Sequence, residues 1–340
     1  MDKGWIRMAM IVLGILIIGI TLTMTVSALF KNAEAEKPKE GFHVLLPDQD
    51  ICTMAYEGDT LWAGGATGIF KVNPKTLETK EIGDYRYVRS LATDNTGLWA
   101  GTDNGLVHIT KEKTLIYTEA EGLPDNRILC VYPLEDGHFW LGTWGGAVEI
   151  TVSEIDNGIV INTLYNSENG LLVDNVNVIH QDQRNGMWFG SYVAPRGGIS
   201  VLTDGIWQYF TTGDALLHAN ITTIINRQDK TVVVGGGLYK YGGATVFRCE
   251  NDKWTPCSRL TKASGLAGEK VRFLYEDKQG RLWVGSEYDG LTLMDNETVI
   301  NLSDKTGLSQ NEVKSITEDK DGNYWIGTLK GLTRIDQGTV

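Results

Sequence analysis

Gly307 to Asp336, GLSQNEVKSITEDKDGNYWIGTLKGLTRID, is the stretch that decides the fold, because the rest of the folded chain restates it. Val313-Lys314-Ser315-Ile316 reads as an apolar and polar alternation, the pattern of a half-buried strand. Asp321-Gly322-Asn323 supplies a tight turn, Tyr324 to Thr328 a second strand, and Leu332 to Ile335 a third. The tryptophan-x-glycine core recurs at Trp62, Trp99, Trp140, Trp188, Trp283 and Trp325, and a degraded copy stands at Val232 to Gly236. With Val233 at the equivalent position, the spacings run from 37 to 50 residues. That period belongs to small antiparallel sheets arranged radially, and the copies number seven.

The composition agrees. Of 340 residues 42% are hydrophobic and 40 are glycine, and no convincing helical stretch follows residue 40, so the body is expected to be all-β. A formal charge of -12 with no cluster of Lys and Arg argues against nucleic acid as a partner. Four cysteines without a C-x-x-C spacing exclude a disulfide scaffold and a zinc ribbon.

Ahead of the body, Lys3 and Arg7 precede an uncharged apolar run, Met8 to Phe30. As a helix it would span about 34 Å, enough for a hydrocarbon core of roughly 30 Å, whereas a signal peptide's apolar region is about 7 to 15 residues. The length favours an uncleaved anchor over a cleaved signal, although Ala28 and Ala35 supply cleavage sites. The expected layout is a cytoplasmic segment 1–7, a transmembrane helix 8–30, a solvated linker 31–40 and a seven-bladed propeller 41–340. Positive charge on the N-terminal side keeps that end in the cytoplasm and places the body on the other side of the membrane. Because the last repeat ends after three strands, His43 to Leu46 is expected to complete its sheet and close the ring.

G-L-x-x-N, V-x-S-I-x-E-D, D-G-N-x-W-I-G-T and a following K-G-L recur in fixed order, most clearly in Val271 to Asp336. In these motifs the chain resembles the two-component regulator propeller repeat of periplasmic sensing domains, over about residues 41 to 340. The resemblance implies a seven-bladed β-propeller that senses a ligand. Well-known members continue into an Ig-like connector and a kinase, and the sequence read here stops at Val340, so a sensor without its transmitter is expected.

The motif tryptophans could stack on a ligand, but recurrence at one structural position favours filling the wedge between blades. The Asp-Gly turns (Glu318 to Gly322, Glu276 to Gly280, Glu135 to Gly137) do not match a calcium loop and read as hairpin chemistry. The five histidines show no metal-ligand spacing, and neither a metal nor a cofactor is expected. Cys249 and Cys257 flank a hairpin and are the candidate disulfide, bridged or free according to register, while Cys52 and Cys130 read as buried thiols. Asn220, Asn296 and Asn301 begin glycosylation-type triplets that carry no information in a bacterial protein.

Strand alternation puts the loop after each Trp-x-Gly strand and the crossover to the next blade on one face, around the mouth of the channel. Those loops supply the candidate ligand-binding residues Asp103, Asn104, Trp144, Tyr192, Arg196, Tyr288, Asp289 and Lys330, with His218 from a crossover. Asn126 and Asn311 read as turn caps. The set suits a polar small molecule or oligosaccharide; a periplasmic or membrane protein docked on the same face is the other partner considered. The main reading is a non-catalytic binding propeller. The alternatives are an enzyme resembling streptogramin lyase or a glycosidase, which would need Asp103, His218, Tyr288 and Asp289 to meet, and a scaffold subunit with a flat, filled face.

Overall fold

The computed structural model describes residues 39–134, 137–153, 158–295 and 298–340. The apolar run 8–30, nearly all of the linker, Glu135 and Asp136 of one turn, and Asn296 lie outside the described residues. No helix among the described residues is long and apolar enough to cross a membrane.

The described residues form seven four-stranded antiparallel sheets, the blades of a propeller. In blades 1 to 6 chain order equals spatial order, from an inner strand through the Trp-x-Gly strand to two outer ones. Blade 7 takes its outermost strand from the other end of the body. Phe42–Leu45 pairs with Gly331–Ile335 in the register Phe42 to Ile335 and Leu45 to Leu332. Ring closure is therefore made by backbone hydrogen bonds, one residue earlier than the sequence suggests. The Ile51 amide donates to the Thr328 carbonyl at 2.9 Å and ties blade 7 to the entry of blade 1.

Trp-x-Gly is a packing unit. All six motif tryptophans are buried, four of them at 1% exposure or less. Each fills the wedge toward the next blade; Trp99, for example, packs with Ile128, Val131, Phe139 and Leu141 of blade 3. The glycine allows the approach: a Cβ at Gly142 would stand 2.6 Å from the Val176 carbonyl oxygen of blade 4. The Asp-Gly turn supplies the polar partner of the indole. Trp188, Trp283 and Trp325 donate their Nε1–H to Asp182, Asp277 and Asp319 at 2.8, 2.9 and 3.1 Å. These turns lie at the ends of the inner strands, away from the mouth.

The crossovers repeat as well. One 3₁₀ turn lies at Glu119–Glu121, another at Lys262–Ser264 and a third at Asp304–Thr306. Each ends at a glycine with positive φ (102°, 100° and 122° at Gly122, Gly265 and Gly307), a conformation that favours glycine. The leucines that follow, Leu123, Leu266 and Leu308, are each 4% exposed and anchor the crossover in the wedge. Asn126 and Asn311 accept from the Glu119 and Asp304 amides at 2.8 Å, so both cap these turns.

Two expectations are corrected. The inner strands of blades 2 to 7 do not alternate simply: their buried apolar residues stand three apart, as in Val88 to Leu91 and Val313 to Ile316, because each of these strands carries a β-bulge at its second residue. Cys249 and Cys257 are free. The register sets Cys249 opposite Trp254, while Cys257 falls beside the bulge between Val246 and Phe247, so the thiols are not cross-strand partners.

Two expected outcomes follow from these contacts. Phe42 is 3% exposed and packs in the blade 7 core, whereas Val44 on the same strand is 44% exposed. Phe42→Ala should cost about 3 to 5 kcal/mol in urea unfolding, and Val44→Ala less than about 0.5 kcal/mol; similar losses would mean that the closing strand does not pack as described. Burial works to raise the Asp277 carboxyl, but hydrogen bonds from Trp283 and Arg281 overcome it and hold the group below its ordinary 3.8. A depressed folded pKa contributes stability above the unfolded value, and this is lost as pH falls through the folded one. Asp277→Asn should therefore cost about 1.5 to 3 kcal/mol at neutral pH and flatten the acid limb of a stability-versus-pH curve recorded below about pH 4.

Candidate functional site

A cavity of about 530 Å³ opens at the end of the ring where the inner strands begin. Its wall is built from one feature repeated six times, with a matching residue in blade 1. In blades 2 to 7 the inner strand slips register after its first residue, leaving Arg89, Leu129, Asn177, Thr222, Arg272 and Lys314 unpaired in the ladder. In blade 1 Cys52 holds the same place, just before the strand Thr53–Glu57. All seven line the cavity. A bulge turns its extra residue off the pleat, here into the mouth rather than into a wedge.

Three of these side chains brace the ring by donating to the first inner-strand residue of the next blade. Cys52 Sγ reaches the Val88 carbonyl at 3.0 Å, Asn177 Nδ2 that of Ile221 at 3.0 Å, and Thr222 Oγ1 that of Val271 at 2.7 Å. The three bulge cations meet carboxylates standing on the surrounding loops. Arg89 grips Asp103 with two hydrogen bonds, Nε to Oδ1 at 2.9 Å and Nη2 to Oδ2 at 2.7 Å. Lys314 Nζ donates to Asp50 Oδ1 at 2.7 Å, with side chains only 10% and 12% exposed. Arg272 stands 3.5 Å from Glu287 and 3.6 Å from Glu312. Those separations are ion pairs but exceed ordinary hydrogen-bond length.

The rim comes from the loop after each Trp-x-Gly strand. Its threonine shapes the loop: Thr143 Oγ1 donates to the Gly146 carbonyl at 2.8 Å and accepts from the Gly145 amide at 3.0 Å, which holds Trp144 at the tip. Thr102 does the same beside Asp103, bonding the Gly105 carbonyl at 2.8 Å. Arg127, paired with Asp125 at 2.6 Å, lies over the Trp144 ring, 4.2 Å from its centroid.

Of the residues expected at the mouth, Asp103, Trp144 and Tyr192 line the cavity. Asn104, Arg196, His218, Tyr288, Asp289 and Lys330 do not belong to its wall. Asn104, Arg196 and Lys330 are exposed loop residues, Asp289 pairs with Lys262 at 3.7 Å, and His218 Nδ1 accepts from the Asn220 amide at 3.0 Å. Burial, and secondarily Lys270, lower the His218 pKa, so the ring is neutral at neutral pH. Asp103, His218 and Asp289 are thus engaged separately, Tyr288 is exposed, and no histidine is among the lining residues. Burial pushes both cavity thiols, Cys52 and Cys130, up to about 11, which keeps them protonated and poor nucleophiles. Among the described residues no group of three or more His, Cys, Asp or Glu could hold a metal ion.

Arg89, Arg127, Arg272, Lys314, Asn177 and Thr222 were missed by a search of the loops alone. For the bulge residues the signal was the spacing of three between buried aliphatics, V-x-x-L or I-x-x-I, in place of alternation.

A ring of seven four-stranded sheets defines a seven-bladed β-propeller. Residues 122–145, 265–288 and 307–330 match the family model described as Two component regulator propeller, so the chain carries repeats of this kind. No curated protein matches the chain. Among solved structures it is similar to the extracellular domain described as that of a hybrid two component system from B. thetaiotaomicron, with TM-score 0.73 and 20% identity over 88% of this chain and 41% of that one. It thus spans well under two thirds of that protein domain's length. Two smaller propellers are also similar. Virginiamycin B lyase from Staphylococcus aureus has TM-score 0.61 and 15% identity over 86% of this chain and 98% of that one. YCF48 bound to D1 peptide has TM-score 0.64 and 12% identity over 88% and 98%. At these identities the likeness is one of fold.

The Lys314–Asp50 pair gives a direct test of how dry the wall is. Lys314→Met should destabilise the protein by about 3 kcal/mol, because Asp50 keeps its charge without its partner. Adding Asp50→Asn should recover most of that loss in chemical denaturation; a single variant within about 0.5 kcal/mol of the parent would show the pair to be solvated.

Proposed function

We propose that the chain is the ligand-binding part of an extracytoplasmic sensor, held at the membrane by its N-terminal apolar segment, with its ligand in the cavity at the channel mouth. One observation carries this reading: six bulge residues and Cys52 in the matching place of blade 1, one residue from each blade, converge on a single concave space of about 530 Å³. A volume of this size falls within the range of small-molecule pockets, and its lining mixes aromatic rings with a few fixed polar groups, as binding sites do. A flat, filled face would instead suit a scaffold.

The two component repeats and the extracellular neighbour support a place in signalling. YCF48, solved with a peptide, supports a peptide as one class of ligand for such a propeller. The lyase neighbour supports an enzyme reading only through its fold. The lining residues here lack the histidine–carboxylate contact that acid–base chemistry would use, and this favours binding without turnover.

Leu129 is the bulge residue of blade 3 and lines the cavity, so Leu129→Trp fills the mouth without removing a hydrogen bond or charge. The full-length chain and this variant should be melted in the presence of oligosaccharide and peptide libraries. A true ligand at 100 times its Kd stabilises the parent by about 2.7 kcal/mol. The expected result is a hit that Leu129→Trp loses while its own melting stays close to the parent's. A hit that persists in the plugged variant, or none from either library, overturns the reading.

A further inference from the structure

The six bulge residues, with Cys52 in the matching place of blade 1, are not distributed evenly in chemistry around the ring. Blades 6, 7, 1 and 2 contribute Arg272, Lys314, Cys52 and Arg89; blades 3, 4 and 5 contribute Leu129, Asn177 and Thr222. One arc of the mouth is cationic and the opposite arc is neutral. Over the whole lining, with Arg127 included, stand four cations and two carboxylates, Asp50 and Asp103, while Glu287 and Glu312 pair with Arg272, and Asp125 with Arg127, from beside it. The cations are thus largely neutralised, and what sets their arc apart is its hydrogen-bond donors.

The donors of the cationic arc are unequally used. Arg89 gives Nε and Nη2 to Asp103, and Lys314 is committed to Asp50 at 2.7 Å. The Arg272 guanidinium has ion pairs only, at 3.5 and 3.6 Å, with a side chain 27% exposed. Its planar fork is therefore open to a two-pronged contact with a carboxylate entering the cavity.

The neutral arc offers the complementary chemistry. Asn177 Nδ2 and Thr222 Oγ1 donate to backbone carbonyls of the next blade, which leaves Asn177 Oδ1 and the Thr222 oxygen as acceptors. Acceptors suit the hydroxyl groups of a ligand. Beside them stand Leu129, Tyr192 and the half-exposed Trp144, apolar surfaces against which the C–H face of a sugar ring packs.

Resting on the binding reading above, we infer that the mouth recognises a sugar acid, a small saccharide carrying a carboxylate. The carboxylate lies against Arg272 on the cationic arc, and hydroxyl groups point to Asn177 and Thr222 on the neutral one. Arg272 sets the preference for acid over neutral sugar, whereas Thr222 contributes to both.

Calorimetric titration of the full-length chain with digalacturonate and with its neutral counterpart galactobiose tests this. The acidic sugar should bind more tightly by about tenfold or more, the difference should shrink as NaCl is raised, and Arg272→Gln should abolish it. Thr222→Val should weaken both sugars alike, and melting curves of each variant confirm that it is folded. Equal binding of the two sugars, a preference that survives Arg272→Gln, or no binding of digalacturonate overturns the inference. In each of these cases a neutral sugar or peptide that stabilises the parent and is lost in Leu129→Trp leaves the binding reading standing, so the two failures are told apart.

Discussion

The pairing of Phe42–Leu45 with the last strand of the chain is the interaction on which the rest depends. An open stack of blades would leave an apolar face of the first and last sheets in water; the closed ring packs the two on each other, with Trp325 and Leu332 of blade 7 against Ile51 and Leu61 of blade 1. Closure also does something local at the mouth. The cavity wall needs its seventh side, and the seam between blades 7 and 1 is where Lys314 meets Asp50, with the Ile51 amide bonded to Thr328 beneath them. Phe42, 3% exposed against the blade 7 core, anchors the closing strand by burial as well as by its ladder. Breaking the seam would remove the cationic arc's continuity before it disturbed any single blade.

Within each blade the work is divided between neighbouring positions. The first residue of the inner strand is always a buried aliphatic (Val88, Ile128, Val176, Ile221, Val271, Val313), and Ile51 takes the place in blade 1. The next residue is the bulge, which packs into no wedge and takes seven identities of six kinds. A position that contributes little to the core can change without a large loss of stability, whereas a change at its neighbour would open a cavity. The repeat thus fixes the frame and leaves one residue per blade free to vary the lining of the cavity. The same division holds at the turns, where Asp182, Asp277 and Asp319 are consumed by the tryptophan indoles and the turn amides.

This division explains what could be read from the sequence. Blade count, ring closure and the buried role of the tryptophans were legible because each rests on a motif repeated at a fixed structural position, and even blade 5, with Val233 in place of tryptophan, keeps the glycine that its neighbour's approach requires. The mouth was legible only in part. Loop position alone picks out Asp103, Trp144 and Tyr192, but also Lys330 and Arg196, which the same loops turn outward to solvent. Arg272 and Lys314 look like the solvent face of a strand until the bulge is recognised, and a bulge shows in sequence only as a two-residue gap between buried aliphatics. Cys249 and Cys257 failed for a related reason: flanking a hairpin says nothing of register, and here a bulge shifts it.

The ion pairs around the cavity have a consequence for how a ligand would be held. Long cationic side chains at a mouth ordinarily lose much conformational freedom on binding. Here Arg89 is already gripped at two atoms by Asp103, Lys314 is nearly buried against Asp50, and Arg127 rests on Trp144. Most of that ordering cost is met when the chain folds, so binding energy is available for discrimination. The carboxylates that fix these cations also cancel most of their charge, and an indiscriminate attraction for anions is thereby avoided. The loosely paired Arg272 is left as the group whose full hydrogen-bonding capacity faces the cavity. On the proposed binding reading, a site constructed in this way would select by where the negative charge of a ligand sits, and only secondarily by how much of it there is.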